Sequence, residues 1–394
     1  MTFHKPNYKN GSIVNLMSSI GETFGIKSKY QNLKILPHKE LDESKNIILL
    51  IIDRLGYEYL KNNFADSTIF KHTRNKITSV TPTTTAAAIT VFHTGLAPQQ
   101  HALTGWYMYV KEMGAAIVPL RYCTWLGRYP LEFLNYDSKD FFQLNSLFSK
   151  LKVKSHVICP KIIKGSAYSN SSYAGAEFIS YPNKSMGSYF NKIKNIIKET
   201  KKSQSKKKNF IYAYWSNFDS SAHDNGLNSN ETKEHFLKLD KKFTQFLKSI
   251  EGTNTTVLLT ADHGQIDCGE KNTVIVNKHP KLKECLAAPV CGEPRLAYCY
   301  IRPGKEKQFK SYIKTKFSKQ IKLYKSSELI EKGYFGLGKA NPKLKDRVGD
   351  YVLVMKDNYA IRQFLPGDTE SFNVGDHGGL SKEEMYVPLV VVKC

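Results

Sequence analysis

The sequence predicts an α/β protein: a mostly parallel sheet covered by helices on both faces, with a small α+β insertion late in the chain. Three observations carry this. Short apolar, β-rich runs alternate with helical patterns from residue 46 onward, the sequence form of βαβ units. The texture changes near Lys271 and the sheet pattern resumes only at Tyr386, which marks an insertion. At 394 residues, 41% apolar and 12% aromatic, the chain can bury a sizeable core. At about 150 residues per domain the length suggests two or three units, and one large α/β domain with an insertion fits equally well.

The elements follow in order. Residues 1–45 are polar and predict a short helix, Ile13 to Ile20, packed on the core. Strands are expected at Asn46–Ile52, Ser155–Cys159, Asn209–Trp215, Thr255–Thr260 and Tyr386–Val392. Helical patterns occupy Gly56–Asn62, Thr84–His93, Asp140–Lys150, Ser188–Thr200 and Thr232–Ile250. The insertion reads as a strand (Arg295–Ile301), a helix (Lys305–Phe317), a strand (Gln320–Tyr324), a helix (Ser327–Lys332) and a hairpin (Asp350–Ile361). The division is therefore an N-terminal extension over 1–45, a core over 46–270 and 375–394, and an α+β cap over 271–374.

No apolar run approaches the roughly 20 residues of a membrane helix. The N-terminus shows no apolar stretch followed by a small-residue cleavage site, so the expectation is a cytoplasmic protein without a membrane partner. The seven cysteines are an odd number without CxxC spacing and read as reduced thiols. Lys plus Arg is 58 against 35 for Asp plus Glu, a formal charge of +23. The first reading of that excess is a solvated lysine surface; the second is a polyanion such as nucleic acid. The densest run, Lys201 to Lys208, has few aromatics interleaved, as base stacking would need.

Three of the strongest strands run into acidic residues: Asp53 after the first, Asp219 within Asn217-Phe218-Asp219, and Asp262-His263-Gly264. Asp376-His377-Gly378-Gly379 precedes the last strand. In open α/β sheets ligands bind beyond the carboxyl ends of the strands, so these groups should converge on one rim. Asp219-x-x-x-His223 places a carboxylate and an imidazole one helical turn apart, or across a tight loop, aimed at one ion. Gly264 and Gly378 permit the sharp turns that adjacent ligands need. Three aspartates and three histidines suit two tetrahedral zinc sites. Imidazoles argue against magnesium, while manganese and iron remain open. A nucleophile is offered by Thr83, Thr84 and Thr85, ahead of an Ala-rich helix whose N-terminus favours phosphate; composition does not choose among them.

The ordered set IIDRLG, TPTTTAAAITVFHTGLAPQQHALTGW, NFDSSAHDNG, LTADHGQID and GDHGGLSKEEMYVPL resembles the type I phosphodiesterase/nucleotide pyrophosphatase branch of the alkaline phosphatase superfamily, over about residues 45–394. The resemblance implies an alkaline phosphatase-like three-layer α/β/α core. It implies one zinc held by Asp53, Asp262, His263 and the nucleophile, and a second held by Asp219, His223 and His377. It places the nucleophile ten residues before the glycine of the TG motif; that glycine is Gly95, which selects Thr85. Two departures stand out. His101-Ala102 replaces the family's H-G, and Trp106 falls where nucleotide pyrophosphatases carry a phosphoryl-binding asparagine, making it the substrate-binding candidate.

The implied chemistry is attack of the Thr85 hydroxyl on phosphorus, a covalent phospho-threonine, and its hydrolysis, with two ions supporting the attacking and leaving oxygens. The expected substrate is a small phosphorylated molecule, a nucleotide pyrophosphate or nucleotide diester, with the cap closing over the leaving group. Within the superfamily the rivals are a phosphomonoesterase, a phosphomutase and a phosphonate hydrolase. NFDSSAHDNG and LTADHG also resemble the cofactor-independent phosphoglycerate mutases, which use serine and carry a large insertion soon after it. From another class, a basic nucleic-acid-binding module with a structural metal is disfavoured by an all-Asp/His ligand set.

Overall fold

The computed structural model describes residues 2–202 and 208–394, so positions 203–207 of the basic run Lys201–Lys208 lie outside the described residues. In chain order the strands of the main sheet and insertion are β1 (Asn46–Ile52), β2 (Thr73–Thr78), β3 (Lys154–Pro160), β4 (Glu177–Tyr181), β5 (Asn209–Trp215), β6 (Thr255–Thr260), β7 (Cys291–Glu293), β8 (Leu296–Cys299), β9 (Ile321–Lys325), β10 (Tyr351–Met355) and β11 (Tyr386–Lys393). The helices that frame them are α1 (Ile13–Thr23), α2 (Tyr57–Asn63), α3 (Thr85–Thr94), α4 (Met186–Lys202), α5 (Asn217–Asn225), α6 (Asn230–Ser249) and α7 (Glu306–Phe317).

The main sheet has the order β2-β11-β6-β1-β5-β3-β4. The five strands from β6 to β4 run parallel, and β11 runs antiparallel to both β6 and β2. β1 lies near the middle. Its sequence NIILLII is buried at every position because helices cover both faces. Each of those Ile and Leu side chains contributes roughly 1.5–3 kcal/mol by its burial.

Alternation along β5 shows the layers. Phe210 and Tyr212 face one side, where their rings lie 5.8 Å from Phe24 beyond α1 and 5.0 Å from His93 of α3. Trp215, of opposite parity, meets Tyr189 of α4 at 5.4 Å and donates its indole N–H to His235 of α6. The core is thus an α/β/α sandwich. α1 starts at a Ser12–Asn15 capping box and packs on α3. Among the described residues, no helix is long and apolar enough to cross a membrane. All seven cysteines are free thiols.

The five strands foreseen for the main sheet are present with end shifts of at most one residue. The sheet adds two edges that pattern did not reveal. β2 reads TRNKIT and is exposed through Arg74-Asn75-Lys76, because an edge strand is kept polar and so loses its apolar signature. β4 forms the opposite edge. The helix expected over Asp140–Lys150 is instead a short helix, Ser138–Phe142, which stops at Gln143 in the left-handed region (φ 45°). Beyond it, Ser146 bonds the Ser172 carbonyl and the Leu147 N–H donates to the His93 carbonyl, and these tertiary bonds override the helical pattern.

In the insertion, β7-β8-β10-β9 form an antiparallel sheet with α7 packed on it through Phe309 and Tyr351. The expected hairpin over Asp350–Ile361 does not form. β8 and β9 already take both edges of β10, so Ala360–Arg362 pairs in parallel with Thr273–Ile275 instead.

Candidate active site

Because β6, β1 and β5 are parallel neighbours, the loops at their carboxyl ends lie side by side. Asp53 follows β1, Asp262-His263 follows β6, and α5 starts two residues after β5. Asp219 and His223 occupy successive turns of α5, with His223 Nε2 3.5 Å from Asp219 Oδ1. His377 enters from the segment ahead of β11, and α3 presents its first residue, Thr85, to the same point.

Two triads result. In each of Asp53–Asp262–His263 and Asp219–His223–His377, three ligand-type atoms lie within 4.8 Å of one another. The first triad is enclosed: Asp262 and His263 are fully buried and Asp53 nearly so. Each of its carboxylates has one oxygen held by the protein and one left over. Asp262 Oδ1 accepts from the N–H groups of Arg54 and His263, both at 3.0 Å, and Asp53 Oδ2 accepts from the Tyr214 hydroxyl. Among the described residues Asp53 Oδ1 and Asp262 Oδ2 are buried and accept no hydrogen bond. Burial, then repulsion from Asp262 and Asp219, pushes the Asp53 carboxyl well above the ordinary range. Two buried carboxylates with unpartnered oxygens call for a cation.

The histidines are oriented for the same purpose. His263 Nδ1 lies 2.9 Å from the Gly264 carbonyl, His223 Nδ1 3.0 Å from that of Gly375, and His377 Nδ1 3.1 Å from that of Thr83. A carbonyl only accepts, so each Nδ1 carries the proton and each Nε2 offers a lone pair. Burial above all lowers the pKa of His223 to about 2 and that of His377 well below the usual value, keeping both rings neutral. Gly264 serves this corner through space: a side chain there would strike the Glu383 carbonyl. Gly378 has both constraints, a φ of 109° and contact with Glu293.

The three threonines now separate. Thr83 bonds Gly379, and Thr84 donates to Glu293 at 2.7 Å while forming the N-cap of α3. Thr85 alone turns its hydroxyl to the triad, 3.2 Å from His263 Nε2.

Residues 47–380 match the family described as type I phosphodiesterase / nucleotide pyrophosphatase. The chain belongs to that family. Membership makes it a hydrolase of phosphoester bonds and places its fold in the alkaline phosphatase superfamily. No individually curated protein matches it in sequence. Among solved structures, murine ectonucleotide pyrophosphatase/phosphodiesterase 5 is 17% identical, with 87% of each chain covered and a TM-score of 0.64. The same murine protein, as an inactive threonine-to-alanine variant in complex with AMP, gives 18% identity, 87% of each chain and 0.62. Phosphonoacetate hydrolase from Sinorhizobium meliloti 1021, in complex with phosphonoformate, is 16% identical over 89% of this chain and 90% of its own, with a TM-score of 0.63.

Glu293 and the Arg295–Glu384 pair border this site as well. Glu293 is buried at the start of the insertion sheet. Its Oε1 accepts from the Thr84 hydroxyl at 2.7 Å and from the Trp106 backbone N–H at 2.6 Å, and burial pushes its carboxyl up to about 7. Arg295 and Glu384 form a fully buried bidentate pair (2.8 and 3.0 Å), and Glu384 also holds the Gly379 N–H, fastening the insertion to the His377 loop. The signal was present in GEPR, since a glutamate and an arginine two residues apart on buried strands must find partners. Trp106 is tied through its backbone, and its indole lies under Arg121. The cavity beside it, about 290 Å³, is lined by its neighbour Tyr107 with Trp125, Arg128, Glu293, Arg362 and Phe364.

Arg54, next to Asp53, is the largest surprise. It is fully buried and holds φ at 69°, a conformation that costs a non-glycine residue about 1–3 kcal/mol. Its Nε lies 2.6 Å from Asp219 Oδ1 and its Nη2 contacts His223 Nε2. Both triads offer metal-type donors and an orphaned carboxylate oxygen, Asp219 Oδ1 in the second, but the second has a guanidinium beside it.

Proposed function

We propose that this protein is a metal-dependent hydrolase of phosphodiester or pyrophosphate bonds that works through a covalent phospho-threonine on Thr85. The observation that carries this is the Thr85 hydroxyl at the head of α3, 3.2 Å from His263 Nε2 and beside two buried carboxylates with free oxygens. The murine protein, inactive as a threonine-to-alanine variant, supports the same assignment.

Asp53, Asp262, His263 and the Thr85 oxygen would hold an ion, zinc by donor preference, with manganese and iron also compatible. When bound, that ion lowers the pKa of the threonine hydroxyl and neutralises charge on the phosphoryl group. The protein's own groups do the rest. Thr85 Oγ forms a bond to phosphorus as the bond to the leaving oxygen breaks, and that oxygen departs with the proton Thr85 gives up. Water then attacks phosphorus, the P–Oγ bond breaks, Thr85 regains a proton from that water, and the phosphate product leaves. The N–H groups at the start of α3 face a non-bridging oxygen. The stacked Tyr107–Trp125 pair, centroids 3.9 Å apart, and Arg128 and Arg362 offer a planar, anionic leaving group such as a nucleotide a place in the adjoining cavity. In this reading residues 271–374 act as the cap that selects what is cut. The free thiols suit a reducing compartment.

The test compares zinc-loaded wild type with Thr85→Ala on a bis-aryl phosphate diester and an aryl phosphate monoester. Preference for the diester, lost in Thr85→Ala, is the expected result; preference for the monoester moves the reading to a phosphatase. Phosphonate hydrolysis is the second reading, because Arg128 and Arg362 also suit a small carboxylate beside the phosphorus, and phosphonoacetate belongs in the same assay. Retention on heparin by the Thr85→Ala protein would report any separate polyanion binding by the basic surface.

A further inference from the structure

The two triads differ in what reaches them. Among the described residues nothing donates a hydrogen bond to Asp53 Oδ1 or Asp262 Oδ2 in the first. In the second, Arg54 brings a fixed positive charge against Asp219 and His223. The guanidinium Nε stands 2.6 Å from Asp219 Oδ1. Nη2 takes up His223 Nε2, whose lone pair is the only one the ring has free once Nδ1 donates to the Gly375 carbonyl. His223 Nε2 is therefore taken up, and Asp219 is ion-paired although its Oδ1 accepts no hydrogen bond among the described residues. A divalent ion placed among them would sit against a fixed positive charge in a buried setting.

Arg54 cannot shed that charge, because arginine stays protonated in proteins. Nor is it a surface side chain folded inward: it has no exposure, and its backbone holds the left-handed region so that it follows Asp53 into the site. Its guanidinium is not saturated either. Nη1 is buried and makes no hydrogen bond, and Nε, though close to Asp219, is not aligned to donate to it. A buried guanidinium with donors to spare, in the site that also holds Thr85, is complementary to a phosphoryl oxygen.

We infer that Arg54 is the resident cation of the Asp219–His223–His377 cluster, so that the chain loads one divalent ion, on Asp53, Asp262 and His263, and uses the guanidinium in place of a second. This rests on the metal-dependent reading above and deepens it. Asp219 and His223 orient Arg54, and Nη1 is the group offered to an oxygen of the bound phosphoryl group.

The test counts zinc per chain, by elemental analysis after dialysis against zinc-buffered solution, in wild type, Arg54→Gly, His377→Ala and Asp262→Asn. One ion is expected in wild type and in His377→Ala, none in Asp262→Asn, and two in Arg54→Gly, where glycine suits the φ of 69° and vacates the second cluster. Two ions in wild type, falling to one in His377→Ala, would overturn the inference and leave the hydrolase reading intact. A single wild-type ion lost in His377→Ala would overturn it as well. No ion in any protein would sink the metal-dependent reading together with it. Should Arg54→Gly fail to fold, the wild-type, His377→Ala and Asp262→Asn counts still decide.

Discussion

The two clusters at the rim of the sheet are made from the same materials and end in different states. Asp53, Asp262 and His263 are enclosed, with one oxygen of each carboxylate held by protein donors and the other left without a partner. Asp219, His223 and His377 face the same space, yet their charge is already matched by Arg54. Ligand type and spacing thus do not establish what a cluster binds; the neighbouring cation does. A search for donors finds both triads alike, and each keeps an unsatisfied carboxylate oxygen; the buried guanidinium beside the second is what separates them.

Thr85→Ala should separate them most widely. The hydroxyl belongs to the first cluster alone, so its removal should lower turnover by on the order of 10⁴-fold or more, as loss of a nucleophile does, while the zinc count stays at the wild-type value. Turnover persisting in the zinc-loaded variant would overturn the nucleophile assignment; a fallen count would show only that the Thr85 oxygen is needed to hold the ion.

The next largest effect concerns how the second cluster is held. His377 lies on a loop that Glu384 pins through the Gly379 N–H, and Glu384 is itself paired with Arg295 from the insertion. Arg295→Met leaves a fully buried carboxylate without its partner, and chemical denaturation should show a loss of about 3–5 kcal/mol. Adding Glu384→Met should restore only part of it, since Glu384 also serves the backbone N–H groups of Gly379 and Ser381. A single variant as stable as wild type would mean that the insertion is not fastened through this pair.

A smaller effect should come from the donor that trims Asp53. The Tyr214 hydroxyl occupies Asp53 Oδ2 and leaves Oδ1 as the ligand atom. Tyr214→Phe should weaken zinc binding by roughly 10–100-fold, the usual consequence of removing a partner that orients a ligand. The measurement is a competition titration against a zinc-binding dye; unchanged affinity would show that packing alone orients Asp53.

Much of this was legible in the sequence, and the remainder was hidden for definable reasons. The buried strands announced themselves because a strand covered on both faces is continuously apolar, as in NIILLII. Asp53, Asp262 and Asp219 were placed by the rule that loops at parallel strand ends share a rim, and the structure brings all six candidate ligands together there. The edge strand β2 was invisible because edges are polar, and the helix over Asp140–Lys150 was overridden by bonds to residues far along the chain. Arg54 was in plain view in IIDRLG, but only the fold shows that its side chain crosses to α5. Glu293 gave no periodic signal, because its partners, Thr84 and Trp106, lie about two hundred residues earlier.

Glu293 gives the smallest and most specific effect, because it borders both clusters: it holds Thr84, next to Thr85, and packs against Gly378, next to His377. Burial raises its carboxyl from the ordinary 4.5 to about 7, so between those values the folded chain holds a proton that the unfolded chain has released. The contribution of this group is therefore greatest at low pH and is lost as pH rises from about 4.5 to about 7. In Glu293→Gln the amide oxygen can still accept from Thr84 and Trp106, while the titration disappears. The difference in unfolding free energy between wild type and Glu293→Gln should shift steadily against wild type across that window and level off above it; other titrating groups cancel in the difference. Parallel curves would show that Glu293 is solvated, and the connection it makes between the helix carrying Thr85 and the loop carrying His377 would then be one of packing alone.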